Sequence, residues 1–451
     1  MDDTWDVIVI GGGPAGENAA DHAIRGSDRT AVIIEAELVG GECSYWACMP
    51  SKALLRPLDV AAAANHLGGI RGPVEIDPAA LLARRDSWVS SYDDAGQVAW
   101  ARGVGIDVVR GHGRLVGERR VDVVAEDGTT RTLEARRAVV LATGSVATVP
   151  SELASVNPWT SREATAVTDV PQRLAIVGGG VVACEAARWM AALGAEVTML
   201  VRGDRLLPRA EPFASALVLE SLSDSGVSVR TEVAVRGAAR TDDGVVLDLG
   251  DETLRVDEVL VATGRRPATD DLGLDAVGLD DDDVHGRTSG GNLPDWLFTV
   301  GDVNAEAPLT HWGKHQARHV GRVIAARAEG RDEPQRGDAP VPQVVFTNPQ
   351  VAWVGLTEAE ARDAGIDVEV IDADYTSAAG AALLRDDAVG AARLVLDADR
   401  VLVGATFVGP EVAELLHSAT VAVVGGLDVE TLRRAVPSYP TASEVWLRLL
   451  E

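Results

Sequence analysis

An apolar strand, a glycine-rich turn and a helix follow one another twice in this chain, and this repeated pattern constrains the fold most strongly. In the first copy the apolar run Trp5–Ile10 leads into Gly11-Gly-Gly-Pro-Ala-Gly16, and helix-forming residues follow from Glu17 to Arg25. The next apolar run, Ala31–Glu35, comes at the distance that a crossover helix needs. The pattern therefore predicts a βαβ unit of a parallel sheet.

The second copy begins with Arg173–Val177 and the turn Gly178-Gly-Gly-Val-Val-Ala183. A helical stretch then extends to Leu193, and Glu196–Leu200 is the next predicted strand. Two nucleotide-binding cores are thus predicted in one chain of 451 residues, which is long enough for about three domains.

The remaining sequence adds a third predicted domain. Residues 328–342 are rich in charge, glycine and proline and indicate a linker. After the linker, strand-like runs alternate with helical stretches, which is typical of an α+β domain. The runs are Val344–Phe346, Leu394–Leu396 and Val401–Phe407. Far earlier in the chain, residues 121–133 predict a hairpin about Gly128.

Charge and apolar patterning exclude several classes of partner. The chain has 41 Lys and Arg against 69 Asp and Glu, a net charge of −28, which repels nucleic acid and anionic lipid surfaces. The longest charge-free run, residues 339–357, contains three prolines, so no transmembrane helix is expected. Asp2 and Asp3 stand where a secretory leader needs positive charge, so we expect a cytoplasmic protein that starts here.

The first glycine fingerprint, Gly11-x-Gly13-x-x-Gly16, predicts dinucleotide binding. The first glycine makes the turn, the second lets a pyrophosphate approach the backbone, and the third lets the helix pack on the strand. Glu35 ends the following strand, where a carboxylate accepts hydrogen bonds from an adenosine ribose.

The second fingerprint, Gly178-x-Gly180-x-x-Ala183, is followed by Arg202 instead of a carboxylate. Guanidinium groups bind a 2′-phosphate, so this core favours NADP, although NAD stays open. A solvated basic loop is the alternative interpretation of Arg202 and its neighbours Arg205 and Arg209.

The most specific segment is Gly40-Gly-Glu-Cys43-Ser-Tyr-Trp-Ala-Cys48-Met-Pro-Ser-Lys52. With it, the chain resembles the pyridine nucleotide-disulfide oxidoreductases, the family of dihydrolipoyl dehydrogenase, glutathione reductase and mercuric reductase, over essentially its whole length. Further matching motifs are Ala142-Thr-Gly-Ser145, Ala262-Thr-Gly-Arg-Arg-Pro267, Thr299-Val-Gly-Asp302 and Val344-Val-Phe-Thr-Asn-Pro349.

The resemblance implies an α/β fold with two Rossmann-like domains and a C-terminal α+β dimerisation domain. The FAD-binding domain is expected at 1–150 and 270–338, the NAD(P)-binding domain at 151–269 and the dimerisation domain at 339–451. A homodimer is therefore expected, with FAD and NADP or NAD as cofactors.

The resemblance also implies roles for single residues. Cys43 corresponds to the thiol that exchanges with the substrate, and Cys48 to the thiolate beside the flavin. Lys52 and Glu185 correspond to the ion pair near flavin N5. The other positions that match FAD contacts are Gly113, Thr143, Gly144, Ser145, Gly264, Asp302, Leu309, Thr310 and His311.

One motif departs from the family. Thiol-reducing members carry a His-Pro-Thr-x-x-Glu motif, whose histidine moves protons near neutral pH, whereas this chain has Tyr439-Pro-Thr-Ala-Ser-Glu444. A phenol with a pKa near ~10 is a poor base at neutral pH. We therefore expect an NAD(P)H-dependent FAD disulfide oxidoreductase acting on a small disulfide. The alternatives are an NAD(P)H quinone reductase or diaphorase, or a flavin-bound redox sensor or interaction subunit.

Three further features receive plain interpretations. His311, His315 and His319 share helical spacing, but no metal site is predicted because no cysteine or carboxylate completes a ligand set. Cys184, inside the second predicted helix, is expected to pack against the sheet. Trp46, between the two cysteines, either shapes a pocket for an aromatic acceptor or fills space.

Overall fold

The computed structural model describes residues 3–337 and 339–451, so Met1, Asp2 and Asp338, the last residue of the predicted FAD-binding domain, lie outside the described residues. The chain divides into two compact units. The first contains residues 3–50, Asp86–Thr148 and Arg265–Gly337, and the second contains Ser51–Arg85, Val149–Gly264 and residues 339–451.

The strands alternate with helices along much of the chain. In order, the strands are β1 (Thr4–Ile10), β2 (Ala31–Glu35), β3 (Ile106–Arg110), β4 (His112–Gly117), β5 (Arg120–Val124), β6 (Thr130–Leu141), β7 (Ser145–Ala147), β8 (Arg173–Val177), β9 (Glu196–Leu200), β10 (Ser228–Arg230), β11 (Gly237–Thr241), β12 (Gly244–Asp248), β13 (Thr253–Val256), β14 (Glu258–Val261), β15 (Arg265–Pro267), β16 (Leu297–Thr299), β17 (Gln343–Val345), β18 (Gln350–Gly355), β19 (Glu369–Asp374), β20 (Ala391–Leu396) and β21 (Leu402–Gly409).

The helices range from single turns to the 20-residue α11. They are α1 (Pro14–Ile24), α2 (Gly41–Tyr45), α3 (Cys48–Asn65), α4 (Pro78–Trp88), α5 (Ala95–Gly103), α6 (Ser151–Ala154), α7 (Ser161–Thr165), α8 (Val181–Ala192), α9 (Pro212–Asp224), α10 (Asp281–Val284), α11 (Thr310–Glu329), α12 (Glu358–Asp363), α13 (Ala379–Ala382), α14 (Val412–Val424), α15 (Val429–Leu432) and α16 (Val445–Leu449).

The first unit is built on a seven-stranded sheet with the order β3-β2-β1-β6-β5-β4, and β16 also pairs with β6. Strands β2, β1, β6 and β16 run parallel, as the βαβ pattern predicts. Strand β1 is buried on both faces of the sheet, because its alternate residues enter different cores. Ile8 and Ile10 pack in one core, whereas Val7 and Val9 pack in the core that also holds residues of α1 and α11.

The second unit contains three sheets. The four-stranded parallel sheet β10-β9-β8-β14 is the second predicted nucleotide-binding core, and β11-β12-β13 form a separate antiparallel sheet. The five-stranded antiparallel sheet β17-β18-β21-β20-β19 packs against α14 and α16 around Phe407 and Leu416. This last sheet with its helices is the predicted α+β domain.

Most predicted elements are confirmed. Strands β2, β8 and β9 have the predicted bounds, and Val124 pairs with Thr130 across the predicted hairpin. In the acidic run at Asp280, that residue caps the short helix α10 by accepting the Asp283 N–H. Among the described residues, no helix has the length and apolar character needed to cross a bilayer.

Candidate active site

In the first glycine-rich turn, Gly11 and Gly16 have steric reasons to be glycine. Gly11 has a positive φ of 105°, and a Cβ there would lie 2.3 Å from the Ala142 carbonyl oxygen. A Cβ on Gly16 would lie 2.0 Å from the Gly11 carbonyl oxygen. Gly13 differs, because nothing lies within 4 Å of the position that its Cβ would take. The turn is therefore closed underneath and open at Gly13.

The open side of this turn fits a pyrophosphate. Gly13 is the N-cap of α1, and no side chain caps the first N–H groups of that helix. Uncapped N–H groups at a helix start attract phosphate oxygens. Glu35 lies at the end of β2 and accepts the N–H groups of Gly12 at 2.7 Å and Glu37 at 2.8 Å. Burial raises the pKa of Glu35, so these two bonds compensate for the loss of solvent around its carboxylate.

The second turn repeats this geometry in the other unit. Gly178 has a positive φ of 136°, and its Cβ would lie 2.3 Å from the Ala262 carbonyl oxygen. Gly180 is the open N-cap of α8, again without a side-chain cap. Ala183 lies in the first turn of α8 and is fully buried. Arg202 is exposed just beyond β9. This second turn also fits a dinucleotide, with a guanidinium group available at the ribose end.

A polar network joins three of the motifs in the first unit. The Ser145 hydroxyl donates to the Asp302 carboxylate at 2.6 Å, and Arg265 donates to the Ser145 hydroxyl at 2.8 Å. Arg265 also lies 3.3 Å from the Glu42 carboxylate, beside Cys43. Burial raises the pKa of Asp302, and its hydrogen bond with Ser145 opposes that effect. A buried carboxylate held in this way fits the predicted contact with hydroxyl groups of FAD.

Other predicted FAD positions serve local structure as well. A Cβ on Gly113 would lie 3.0 Å from a methyl group of Ile10, so packing alone explains that glycine. The Thr143 hydroxyl donates to the Ala268 carbonyl oxygen at 2.7 Å. Gly144 and Gly264 have positive φ values of 77° and 134°. The contacts of these residues with FAD remain predictions.

Cys43 and Cys48 come together in the first unit. Cys43 lies in α2 and Cys48 is the first residue of α3; both carry thiols, not a closed disulfide. The hydrogen bond with the Cys48 thiol is the largest cause that raises the pKa of Cys43, followed by burial and by repulsion from Cys48. The two thiols are therefore neighbours, as they must be if they are to close to a disulfide and store two electrons.

The N-terminus of α11 meets this thiol pair. Leu309 is the N-cap of the helix, and the Thr310 hydroxyl lies 3.3 Å from the Cys48 sulfur. Thr310 and Lys314, one helical turn apart, both lower the pKa of Cys43. Thr310 was predicted as an FAD contact, whereas Lys314 was not predicted. Because Lys314 is four residues after Thr310 on the same helix, the spacing already indicated that both side chains lie on one face.

The three histidines of α11 do not gather at one point. His311 and His315 are exposed, whereas His319 is buried. Within residues 3–337 and 339–451, no group of three or more histidine, cysteine, aspartate or glutamate side chains is placed to hold a metal ion. The contact of His311 with FAD remains a prediction.

The predicted Lys52–Glu185 pair forms in the second unit. The Lys52 ammonium lies 2.8 Å from the Glu185 carboxylate and 4.9 Å from the centre of the Phe346 ring. Glu185 is 3% exposed and also accepts the Phe346 N–H at 3.0 Å. Phe346, which sequence analysis assigned only to a motif, thus contacts both members of the pair. The neighbouring Cys184 is fully buried, and burial raises its pKa, as expected for a packing role.

Tyr439 and Glu444 are separate side chains within the second unit. The Tyr439 side chain is 78% exposed and makes no polar contact with any residue the structure describes. One carboxylate oxygen of Glu444 is buried without a hydrogen-bond partner among the described residues. Catalytic roles for Tyr439 and Glu444 remain predictions.

One buried acid was missed entirely. Glu17 lies in the first turn of α1, and burial raises its pKa to about 7, although Lys314 opposes the shift. A single glutamate in an amphipathic helix carries no signal of burial, so only the packing of α1 against α11 reveals it.

Two nucleotide-binding turns and a pair of contacting thiols are the parts of an oxidoreductase that moves electrons between dinucleotides and sulfur. Comparisons with known proteins agree. The family model described as pyridine nucleotide-disulphide oxidoreductase matches residues 5–330, and the dimerisation domain of the same family matches residues 341–449.

Individual relatives cover nearly the whole chain. A dihydrolipoyl dehydrogenase from Thermus scotoductus is 35% identical and covers 98% of this chain and 95% of its own length. Dihydrolipoyl dehydrogenase 3 from Pseudomonas aeruginosa is 33% identical, with 98% and 97% covered. Among solved structures, LpdA from Mycobacterium tuberculosis is 26% identical over 98% of both chains, with a TM-score of 0.84. The flavoprotein disulfide reductase RclA from Escherichia coli shares the fold, with a TM-score of 0.86 at 21% identity over 100% of this chain and 99% of its own.

The chain belongs to the pyridine nucleotide-disulphide oxidoreductase family. It is an FAD-dependent disulfide oxidoreductase that uses a pyridine nucleotide. The resemblance stated from the sequence and the predicted α/β fold class are confirmed.

Proposed function

We propose that the chain takes electron pairs from NADPH and delivers them through the Cys43–Cys48 pair to a small disulfide. The observation that carries the proposal is the contact between the two thiols, with the Thr310 hydroxyl 3.3 Å from the Cys48 sulfur. Two such thiols form a two-electron store, because they close to a disulfide when oxidised and reopen when reduced.

The residues that would hold FAD are the open turn at Gly13, Glu35 and the Ser145–Asp302 network. When bound there, FAD would supply the two-electron redox chemistry that connects the reduced nicotinamide with the disulfide. Arg202 supports NADPH over NADH. It is exposed after β9, at the position where an NAD-binding core has a carboxylate, and its guanidinium group can bind a 2′-phosphate.

The exchange with substrate follows from thiol chemistry. The Cys43 thiolate attacks one sulfur of the substrate disulfide, which forms a mixed disulfide and releases one substrate thiol after protonation. The Cys48 thiolate then attacks the Cys43 sulfur, which releases the second substrate thiol and closes the Cys43–Cys48 bond. One NADPH and one proton are consumed for each disulfide reduced to two thiols.

The environment of Cys43 determines when it is reactive. Its thiol pKa is raised by the Cys48 thiol and by burial, and is lowered by the Thr310 hydroxyl and by Lys314. The thiolate of the pair therefore depends on α11 for stabilisation. Lys52 and Glu185 remain predicted to act near the flavin, where their ion pair would stabilise developing negative charge.

A second candidate, quinone reduction, is favoured by Tyr439. A phenol, with an ordinary pKa of about 10, does not move protons efficiently at neutral pH, and Tyr439 stands where the family motif has its histidine. A quinone takes two electrons and two protons: the hydride of NADPH provides both electrons and one proton, and solvent provides the other proton. Dihydrolipoyl dehydrogenase activity, for which the relatives are named, is therefore not proposed as the main activity.

The proposed assembly is a homodimer, supported by the match of residues 341–449 to the family's dimerisation domain. We also propose a cytoplasmic location, because only three cysteines occur in 451 residues and two of them belong to the redox pair.

The test is an anaerobic titration of the purified holoenzyme with NADPH and, separately, with NADH. A long-wavelength band from the Cys48 thiolate beside the flavin, appearing more readily with NADPH, is the expected result. Flavin bleaching without this band would contradict electron flow through the disulfide. Cys43→Ser must then abolish disulfide reduction while quinone reduction survives, and Cys184→Ala is the matched control that keeps both. A holoenzyme that shows no NAD(P)H turnover with any acceptor would instead support a redox sensor or interaction subunit.

A further inference from the structure

Three aromatic rings meet at the segment that contains Cys43 and Cys48, although the chain has few aromatic residues elsewhere. Aromatic residues make up 4% of the sequence, with four tyrosines, and two of these tyrosines contact Trp46. The Trp46 and Tyr92 rings are stacked, with centroids 6.2 Å apart and an interplanar angle of 28°. Tyr45 lies 5.6 Å from Trp46 and 6.5 Å from Tyr92.

The three rings differ in burial. Tyr45 is 1% exposed, and its hydroxyl donates to the Val39 carbonyl oxygen at 3.2 Å. It therefore anchors the cluster in the core. Trp46 and Tyr92 are only partly buried. Trp46 follows Cys43 by three residues and precedes Cys48 by two, so its ring surface belongs to the loop that carries the thiols.

The backbone that carries Tyr92 is strained. Ser90, Ser91 and Tyr92 have consecutive positive φ values of 50°, 52° and 62°, a region that residues with side chains rarely adopt. The turn is held by the Tyr92 N–H, which donates to the Val89 carbonyl oxygen at 2.8 Å. Strain of this kind persists where surrounding structure fixes it, and it is concentrated at functional sites. Its consequence here is that the Tyr92 ring is held against Trp46.

We propose that the Trp46–Tyr92 ring pair binds a planar aromatic ring carried by the electron acceptor. The two rings are already stacked and only partly buried, and a further aromatic ring associates with such a pair by offset stacking. The shared chemistry is the ring, whether it belongs to a quinone or to an aromatic disulfide. The inference rests on the proposed function, because it assumes that electrons leave from the adjacent thiol pair.

Either acceptor closes the electron balance. A quinone gains two electrons and one proton from the hydride of NADPH and a second proton from solvent. It leaves as the hydroquinone. An aromatic disulfide is opened by the Cys43 thiolate, leaves as two aromatic thiols and returns the Cys43–Cys48 disulfide.

The test measures ring binding apart from turnover. Equilibrium dialysis gives the Kd of duroquinone for oxidised holoenzyme without NADPH. The four ring carbons of duroquinone that are not carbonyl carbons are methylated, so it resists thiol addition. Trp46→Leu should weaken binding about tenfold, and Trp46→Phe should weaken it less. Trp100→Leu is the matched control, because Trp100 is 41% exposed in α5 of the same unit and lies outside the cluster; its Kd should not change.

Turnover supplies the second readout. In Trp46→Leu, kcat/KM should fall about tenfold for the aromatic disulfide dithiodipyridine and remain unchanged for the aliphatic disulfide lipoamide. An unchanged duroquinone Kd, or an equal fall for both disulfides, would overturn the ring site and leave the proposed function intact. A wild-type enzyme that binds duroquinone but reduces no acceptor would instead refute the proposed function. If Trp46→Leu does not retain FAD, Tyr92→Leu decides by the same measurements.

Discussion

Replacing Lys52 by methionine should destabilise the protein because it leaves a buried carboxylate without its cation. Glu185 is 3% exposed and would keep only the Phe346 N–H at 3.0 Å. Removing one partner of a buried ion pair costs about 3–5 kcal/mol. The Lys52 side chain is 37% exposed, so water screens part of the interaction and the lower figure, about 3 kcal/mol, applies.

A double-mutant cycle isolates the contribution of the pair. Urea unfolding of the holoenzyme at one saturating FAD concentration gives the free energy of unfolding for each variant. Glu185→Gln should cost only about 1 kcal/mol, because the amide still accepts the Phe346 N–H and Lys52 reaches solvent. The double variant should resemble Glu185→Gln, which gives a coupling energy of about 2–3 kcal/mol.

The result that refutes this reasoning is additivity. If the double variant loses the sum of the two single losses within about 0.5 kcal/mol, the pair contributes nothing of its own. Arg56→Met is the matched control on the same helix. Arg56 and Glu411 are more than half exposed and 3.5 Å apart, so this change should cost less than about 1 kcal/mol.

Three further predictions concern charge. Burial raises the pKa of Glu17 from its ordinary 4.5 to about 7, so the unfolded chain ionises first and folding becomes less favourable as the pH rises between these values. Glu17→Gln should therefore gain about 2–3 kcal/mol at pH 8 in urea unfolding, and the gain should disappear by pH 4.5; a constant gain would contradict burial of the charge. Thr310→Val should slow alkylation of Cys43 by iodoacetamide about tenfold in reduced protein, because the hydroxyl lowers the pKa of that thiol, whereas Thr310→Ser should not. Arg202→Ser should lower kcat/KM for NADPH about tenfold or more and leave NADH unchanged; a parallel fall would argue against a 2′-phosphate contact.

The elements that sequence predicted best are those whose pattern is local. Strands β1 and β8 are largely apolar, and each runs directly into a glycine-rich turn, so composition and punctuation identify them together. Strand β18 was missed, although it is fully buried over Gln350–Val354, because it follows directly after Pro349, a residue that interrupts a strand pattern. Strand β19 was missed because its exposed Asp and Glu residues interrupt the apolar pattern.

The candidate site divides in the same way. The two cysteines lie five residues apart, so their pairing was visible in a short segment. Thr310, which contacts the Cys48 sulfur, is 262 residues further along the chain. Its identity gave no reason to connect it with the thiol, because threonine at a helix start is common for reasons of capping alone.

Sequence alone indicated the two nucleotide-binding cores, the close spacing of Cys43 and Cys48 and the substitution at Tyr439, because each depends on residues within about one supersecondary unit. Only the tertiary structure decided which groups adjust that chemistry. Burial raises the pKa of Glu17, Lys314 lowers the pKa of Cys43 and Tyr92 lies against Trp46, because helices and turns distant in sequence pack together there. Burial and proximity set pKa values and ring contacts, and neither is a property of the residue type itself.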